Sequence, residues 1–431
     1  MRPQKNRKLY YTTGGENKFR RPFLFASRYI MVLSRPWLKP VILASALVLL
    51  WLAFTWVSYL LLWIPNENRF DFYPRWMGAR AVLNHRNPYA TEVTREIQIG
   101  MFDAPRAANQ DQQAFAYPAW IAWQLLPFWL LPFPIAVSAW CGLALLLLIV
   151  SPLVIFSLLD WKIPPLALAV VLFLSVFVFR YPMITYFFGQ FTPFVLACFV
   201  FAWWAMAHQH QVLAALGLLL AMVRPELALV PLCALLVLAW QLKQRRVIFF
   251  WLGGMGALWL LTRVWLGAWE LDFYQGILAY RAYAIPVWGP SLLNNFMLSI
   301  ALVVGVIGWS IWMWFRVRRV ETSERIGWIL SASLLAGLIW IPQTANYTLV
   351  LALGAVWFLF GIYREKYIYW LPLVLILLAP WFFAASNPSW TNWERLLIPL
   401  GLCIVLTHGW FFRNTRARNI SAMLHTASIS P

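Results

Sequence analysis

The residues with the clearest chemical potential lie in RFDFYPRWMGARAVLNHRNPY, Arg69 to Tyr89. Asp71 stands near its head among Phe70, Phe72 and Tyr73. Arg69, Arg75, Arg80 and Arg86 surround it in sequence, and Asn87-Pro88-Tyr89 closes the stretch. An acid beside an apolar run, among aromatics and arginines, is placed to receive a proton. The competing reading is a solvated carboxylate paired with Arg69 or Arg75. A second charged feature interrupts the apolar stretch Val212 to Trp240 at Arg224-Pro225-Glu226. A charge at a lipid-facing helix centre costs roughly 2.5–3.5 kcal/mol on insertion scales. Two short helices meeting at a turn, with the charges in a protein-lined pocket, are therefore expected. Arg224 then either holds an anion or forms a structural ion pair with Glu226.

The elements that must position these residues are membrane helices. Of 431 residues, 62% are hydrophobic and 11% charged, too few polar groups to clothe a water-soluble protein. Apolar runs of about 18 residues or more recur along the chain, unlike the roughly ten-residue alternating segments of membrane barrels. The fold class is an all-α polytopic membrane protein. The net charge of +19 sits mostly in the tails and short turns, a pattern that sets membrane orientation and argues against nucleic-acid binding. The tail carrying Arg2, Lys5, Arg7, Lys8, Lys18, Arg20 and Arg21 suits anionic headgroups of membrane lipids. The polar residues ahead of the first apolar run lead us to expect a retained first span rather than a cleavable signal. Cys141, Cys198, Cys233 and Cys403 are scattered through apolar segments and read as small core residues.

The organisation expected is a basic cytoplasmic tail over 1–39, a membrane domain over 40–412 and a second cytoplasmic tail over 413–431. The first span runs from Pro40 to Trp63, and 64–116 is an outer loop, with a helix starting at an N-cap on Thr91. Ala116 to Leu131, broken by Pro118 and Pro127, is read as interfacial. Runs at Ile135–Leu159, Pro165–Phe179 and Phe194–Ala207 are spans, with a polar patch from Arg180 to Pro193. Basic turns at Lys243–Arg246, Arg316–Arg319, Arg364–Lys366 and Arg413–Arg418 alternate with outer loops at 262–295, 342–346 and 386–395. This places about twelve spans in a plasma membrane with both termini inside. A rival count lets Ala116–Leu131 cross and keeps Val212–Trp240 whole, which would bury Arg224 in mid-membrane.

Asp71-Phe72 with Asn87-Pro88-Tyr89, then Tyr117-Pro118, Gly189-Gln190, and Arg224-Pro225 after Gly217 stand in order between Asp71 and Pro231. This ordered set resembles the polyprenol-phosphate-sugar-dependent membrane glycosyltransferases of the GT-C superfamily, in particular glycosyltransferase family 87 (the former DUF2029 group). Two departures stand out: the family often has Lys where Arg224 stands, and its usual second proline after Tyr117-Pro118 is Ala119 here. IPQTANY, Ile341 to Tyr347, resembles the family only loosely.

The resemblance implies a GT-C bundle whose first outer loop carries the active site. The implied reaction moves one sugar, a hexose or pentose, from a polyprenyl phosphate to a lipid or glycan acceptor at the outer face, with inversion. Asp71 would be the general base and Arg224 the cation on the departing lipid phosphate. Arg75, Arg263 and Arg281 are weaker candidates for that cation. Gln190, whose amide donates and accepts, suits a sugar hydroxyl or phosphate oxygen, as does Gln343. Arg80, His85, Asn87, Tyr89, Tyr117 and Glu226 complete the expected substrate-binding set. No cofactor is implied; the lipid-linked sugar is a co-substrate. The loop lacks a DxD pair, although Asp103 or Asp111 could fold back toward Asp71, so a divalent ion stays open. His208 and His210 lack nearby carboxylates for a metal. The alternatives are a transporter or flippase of a lipid-linked sugar, with Arg224 and Glu226 lining its path, and a polymerase or ligase acting on the same kind of lipid.

Overall fold

A computed structural model describes residues 38–64, 70–107, 110–283, 288–342, 345–386 and 392–427. Arg69, Gln343 and the N-terminal tail fall outside the described residues, as does the Arg281 side chain. The chain divides into two compact units, Met1–Leu52 and Ala53–Pro431; the site and its frame belong to the second.

The described residues are helical throughout, without strands. Helix α1, Leu38–Ser58, continues through a π-helical turn to Trp63. Next come α2 (Phe72–Leu83), α3 (Thr91–Phe102), α4 (Ile121–Gln124), α5 (Leu126–Leu130) and α6 (Phe133–Leu158). Helix α7 (Pro165–Phe173), prolonged by a π turn to Val178, meets α8 (Arg180–Phe188) at a 60° bend. Then follow α9 (Thr192–Ala207), α10 (Gln211–Ala221), α11 (Pro225–Gln241), α12 (Arg245–Leu266), α13 (Glu270–Tyr283), α14 (Phe296–Arg316) and α15 (Thr322–Trp340). A 3-10 segment, Asn346–Ala352, leads into α16 (Leu353–Ile362), and α17 (Leu371–Ser386) and α18 (Glu394–Ala427) close the chain.

Among the described residues six helices are long and apolar enough to cross a membrane, and the bent pair α7/α8 adds a seventh if taken as one span. They carry exposed apolar side chains such as Phe249, Val264, Phe296 and Ile404, which only a nonaqueous surrounding tolerates in such number. The chain is a membrane-embedded, multi-pass helical protein. Twelve spans were expected; α9, α10 and α11, with 16, 11 and 17 residues, and the run Asn346–Ile362 are short of the ~20 that span a bilayer, and α15 carries Glu324 and Arg325 in its first turn. Helices α15 and α16 form the centre. Helix α16 is apolar on every side and buried on every side from Leu353 to Gly361, as a helix without a polar face must be.

Several local expectations are corrected. The 64–116 segment holds α2, where only loop was expected, besides α3, which stands where a helix was expected. Helix α3 begins at Thr91 itself, with Ala90 as the extended cap residue and no side-chain cap bond. Arg180 to Phe188 is helix because Tyr181, Pro182, Thr185 and Tyr186 recur on one buried face. Much of the 262–295 loop is the end of α12 and all of α13. Cys233 is exposed, whereas the other three cysteines are buried.

Two stretches break where prolines interrupt them. Ala116–Leu131 supplies only the 4- and 5-residue helices α4 and α5. The Val212–Trp240 stretch breaks into α10 and α11 at Met222–Arg224. The two ends of the bundle differ in chemistry. At one end, polar bonds tie the basic turns together: Arg364 to the Leu159 carbonyl, Arg413 to Glu324, Arg325 to Gln241 at 2.5 Å, and the Arg246 amide to Gln211 at 3.2 Å. Helix α6 runs from that end, at Leu158, to Phe133 beside Phe72 at the other.

Candidate functional site

Asp71 immediately precedes α2, and Phe72 fixes its place. The Phe72 ring is fully buried among Trp129, Phe133, Trp140 and Phe191, at centroid distances of 5.4, 6.4, 5.6 and 6.1 Å. Such packed aromatic contacts add about 0.5–1.5 kcal/mol each beyond simple burial, so the start of α2 has little freedom. Four residues on, Arg75 returns to the same helical face. It is buried and spends its guanidinium on the frame. Nε donates to Tyr117 Oη at 2.7 Å, Nη1 to the Gly189 carbonyl at 3.0 Å and Nη2 to Gln190 Oε1 at 2.6 Å. Its plane also lies 5.0 Å from the Tyr117 ring and 4.8 Å from that of Phe191. Gln190, fully buried, passes the connection on: its Nε2 donates to Asp71 Oδ2.

Gly189 makes this relay possible. It ends α8 with φ 64°, in the left-handed region, and a Cβ there would lie 2.9 Å from Phe72 Cβ. Gly189→Ala is therefore expected to cost about 1–2 kcal/mol from backbone conformation alone and to displace Phe72 and Asp71 together. Thermal unfolding in detergent micelles, beside that of wild type, checks this; an unchanged midpoint would remove the constraint.

Burial is the main influence on Asp71 and pushes its carboxyl above the usual carboxylate range. Arg75 pulls it down, the field of Asp111 pushes it up, and Arg224 and the Gln190 hydrogen bond pull it down more weakly. Asp111 thus reaches the site by its field, although its own oxygens accept from the Gln113 amide and Nε2. Among the described residues no three His, Cys, Asp or Glu side chains gather as metal ligands would.

Arg224 is the cation across from this acid. It caps α11 at a break where Pro225 takes the first helical position. The side chain is 7% exposed; Nε donates to Glu226 Oε1 at 2.7 Å, and buried Nη1 has no hydrogen-bond partner. A guanidinium beside the positive end of a helix is held there against the dipole, and together they favour an anion. The Tyr347 ring lies 6.0 Å from Arg224, and the fields of Arg224, Tyr117, Asp71 and Arg75 all converge on the Tyr347 phenol. The structure therefore brings Asp71, Arg75, Tyr117, Gln190, Arg224 and Tyr347 into one cluster, termed the chamber.

The other expected residues serve its frame. Arg80 lies nine residues beyond Asp71, half a turn round α2, and covers the Trp76 ring at 4.7 Å. His85 stacks on Trp265 at 4.0 Å, with Nδ1 3.2 Å from its carbonyl. Asn87 donates to Asp272 at 2.8 Å and accepts from the Tyr89 amide, and Tyr89 Oη donates to the Tyr117 carbonyl at 2.7 Å. Glu226 is exposed and pairs with Arg224. Arg263 pairs with Glu270 at 2.6 Å.

No protein-family model matches the chain, and no curated protein or solved structure matches it at a significant level.

Proposed function

We propose that this protein is an integral-membrane glycosyltransferase that moves one sugar from a polyprenyl phosphate to a hydroxyl of a lipid or glycan acceptor. The observation that carries the reading is the pairing, in one cluster, of a buried carboxyl held by Gln190 with a buried guanidinium that keeps an unused donor. Asp71 takes the proton of the attacking hydroxyl while its other side is held by Gln190. The anomeric carbon exchanges its bond to the phosphate oxygen for one to the acceptor oxygen, from the opposite face, so configuration inverts. The departing phosphate gains charge, and Arg224 Nη1 with the start of α11 meets it. Arg75 does not touch phosphate; its three bonds fix Tyr117 and Gln190. Asp71, Tyr117, Gln190 and Arg224, from the ordered motifs that resemble family 87, lie in this cluster, and the gathering of basic turns at the other end of the bundle favours an outward-facing site.

The test uses purified full-length protein in lipid, radiolabelled polyprenyl-phosphate sugars and a membrane extract as acceptor source. Label is expected in a new product carrying a glycosidic bond. Movement of intact lipid-linked sugar across proteoliposomes without a new bond would replace this reading with a flippase.

A further inference from the structure

Glu394 is fully buried, and neither carboxylate oxygen has a hydrogen-bond partner. A buried carboxylate accepts hydrogen bonds and donates none when ionised, and leaving it unmet is costly. Yet Glu394 opens α18, and the cations near it do not contact it. Arg180 and Arg395 are close enough to act on its charge; Arg180 packs 5.9 Å from the Trp381 ring, and Arg395 Nε donates to Asn346. The arrangement is an acceptor pair set among guanidinium donors, with the acceptor's own hydrogen bonds unmade.

Its place relative to the chamber follows from two links. Asn346, held by Arg395, is the chain neighbour of Tyr347, which faces Arg224. Helix α8 starts at Arg180, and Gly189-Gln190 follow its end at Asp71. Ten residues of nearly continuous helix put Arg180 and Gln190 roughly 15 Å apart. That reach is longer than one sugar ring.

We infer that Glu394, with Arg180 and Arg395, forms a second saccharide subsite, which takes adjacent hydroxyls of a sugar other than the one that reacts at Asp71. The inference rests on the glycosyl-transfer reading for the nature of the ligand, and it narrows the acceptor to a glycan or glycolipid headgroup of at least two sugar units. Two hydroxyls of a pyranose meet the two unpartnered oxygens of Glu394. The Arg180 guanidinium donates to ring and hydroxyl oxygens, while Arg395 holds Asn346 beside them. A site built in this way rejects an analogue that lacks the hydroxyl, because its buried acceptor is then left unpaired.

The experiment is saturation-transfer NMR on full-length protein in lipid nanodiscs, with mannobiose and maltose as probes beside methyl mannoside and methyl glucoside. Wild type and Asp71→Asn are expected to bind at least one disaccharide more tightly than the matching monosaccharide. Glu394→Gln is expected to weaken disaccharide binding about tenfold or more, with a thermal midpoint no lower than that of wild type, since an unmet buried charge has been removed. Equal disaccharide binding by Glu394→Gln and wild type would overturn the subsite, as would wild type showing no preference for two sugar units. Loss of midpoint with binding retained would assign Glu394 to structure alone. If polyprenyl-phosphate sugars support no transfer while Glu394-dependent disaccharide binding persists, the proposed reaction falls and the subsite stands.

Discussion

Asp71→Asn is expected to lower sugar transfer by roughly a hundredfold or more, the low end of what a positioned general base contributes, while leaving the protein folded. The amide oxygen of asparagine can still accept from Gln190 Nε2 in place of Asp71 Oδ2, so the relay from Arg75 survives. What is lost is the capacity to take a proton. A pH profile separates this loss from a structural one. The base works only when ionised, and burial raises its pKa. Wild-type kcat should therefore rise with pH through a limb lying above the ordinary carboxylate range, and the residual rate of the variant should lack that limb.

The sign for stability runs the opposite way from that for activity. A carboxyl raised in the folded state holds its proton to a higher pH than in the unfolded chain, so ionising it weakens the fold as pH climbs through the folded value. At neutral pH Asp71→Asn should thus unfold no earlier than wild type. Near-normal turnover by purified Asp71→Asn would end the assignment of the base.

What could be read in the sequence was the polar residue in an apolar setting. Asp71 beside the first span, Gln190 after a glycine and Arg224 beside a proline each break a local pattern, and all three meet in space. What could not be read was rotation and reach. Arg80 belongs to the same stretch as Asp71, yet a helix turns it to the far side, onto Trp76. His85 and Asn87 lie past the end of that helix and tie it to α12 and α13. Arg75 was weighed as a phosphate ligand because its charge is visible in sequence; the three acceptors that occupy it are not. Tyr347 sits more than a hundred residues after Arg224, and only packing of the Asn346–Ala352 turn places its ring there. Glu394 did carry a local signal, an acid beside Trp393 at the start of an apolar helix. That is the same pattern that singled out Asp71, but here it was absorbed into a stretch read as outer loop. Of the two helices in 64–116, α3 was signalled at Thr91, whereas α2 was missed because it is buried on most sides and leaves little periodicity of its own.

Arg224 carries the second large effect. Arg224→Ala removes the one buried guanidinium nitrogen that waits without a partner among the described residues of this chamber, and a preorganised donor to developing charge is worth about a hundred- to a thousandfold in rate. The expected result is a fall of that size in kcat/KM for the lipid-phosphate donor, with the acceptor KM little changed. Arg224→Lys should recover only part of it. Its ammonium keeps the charge but lacks the planar fork that lets one group hold Glu226 through Nε and present Nη1 elsewhere.

Glu226→Gln decides between phosphate binding and a structural ion pair. The Glu226 side chain is 46% exposed, so its pairing with Arg224 contributes little, and losing it should lower transfer by less than about fivefold. If the pair were the purpose of Arg224, the two variants would fail together, each with a lowered thermal midpoint and an unchanged preference among donors. If Arg224 faces the leaving group, the alanine variant alone should lose its advantage for the phosphate-linked donor, because only that variant removes the buried positive charge at the head of α11.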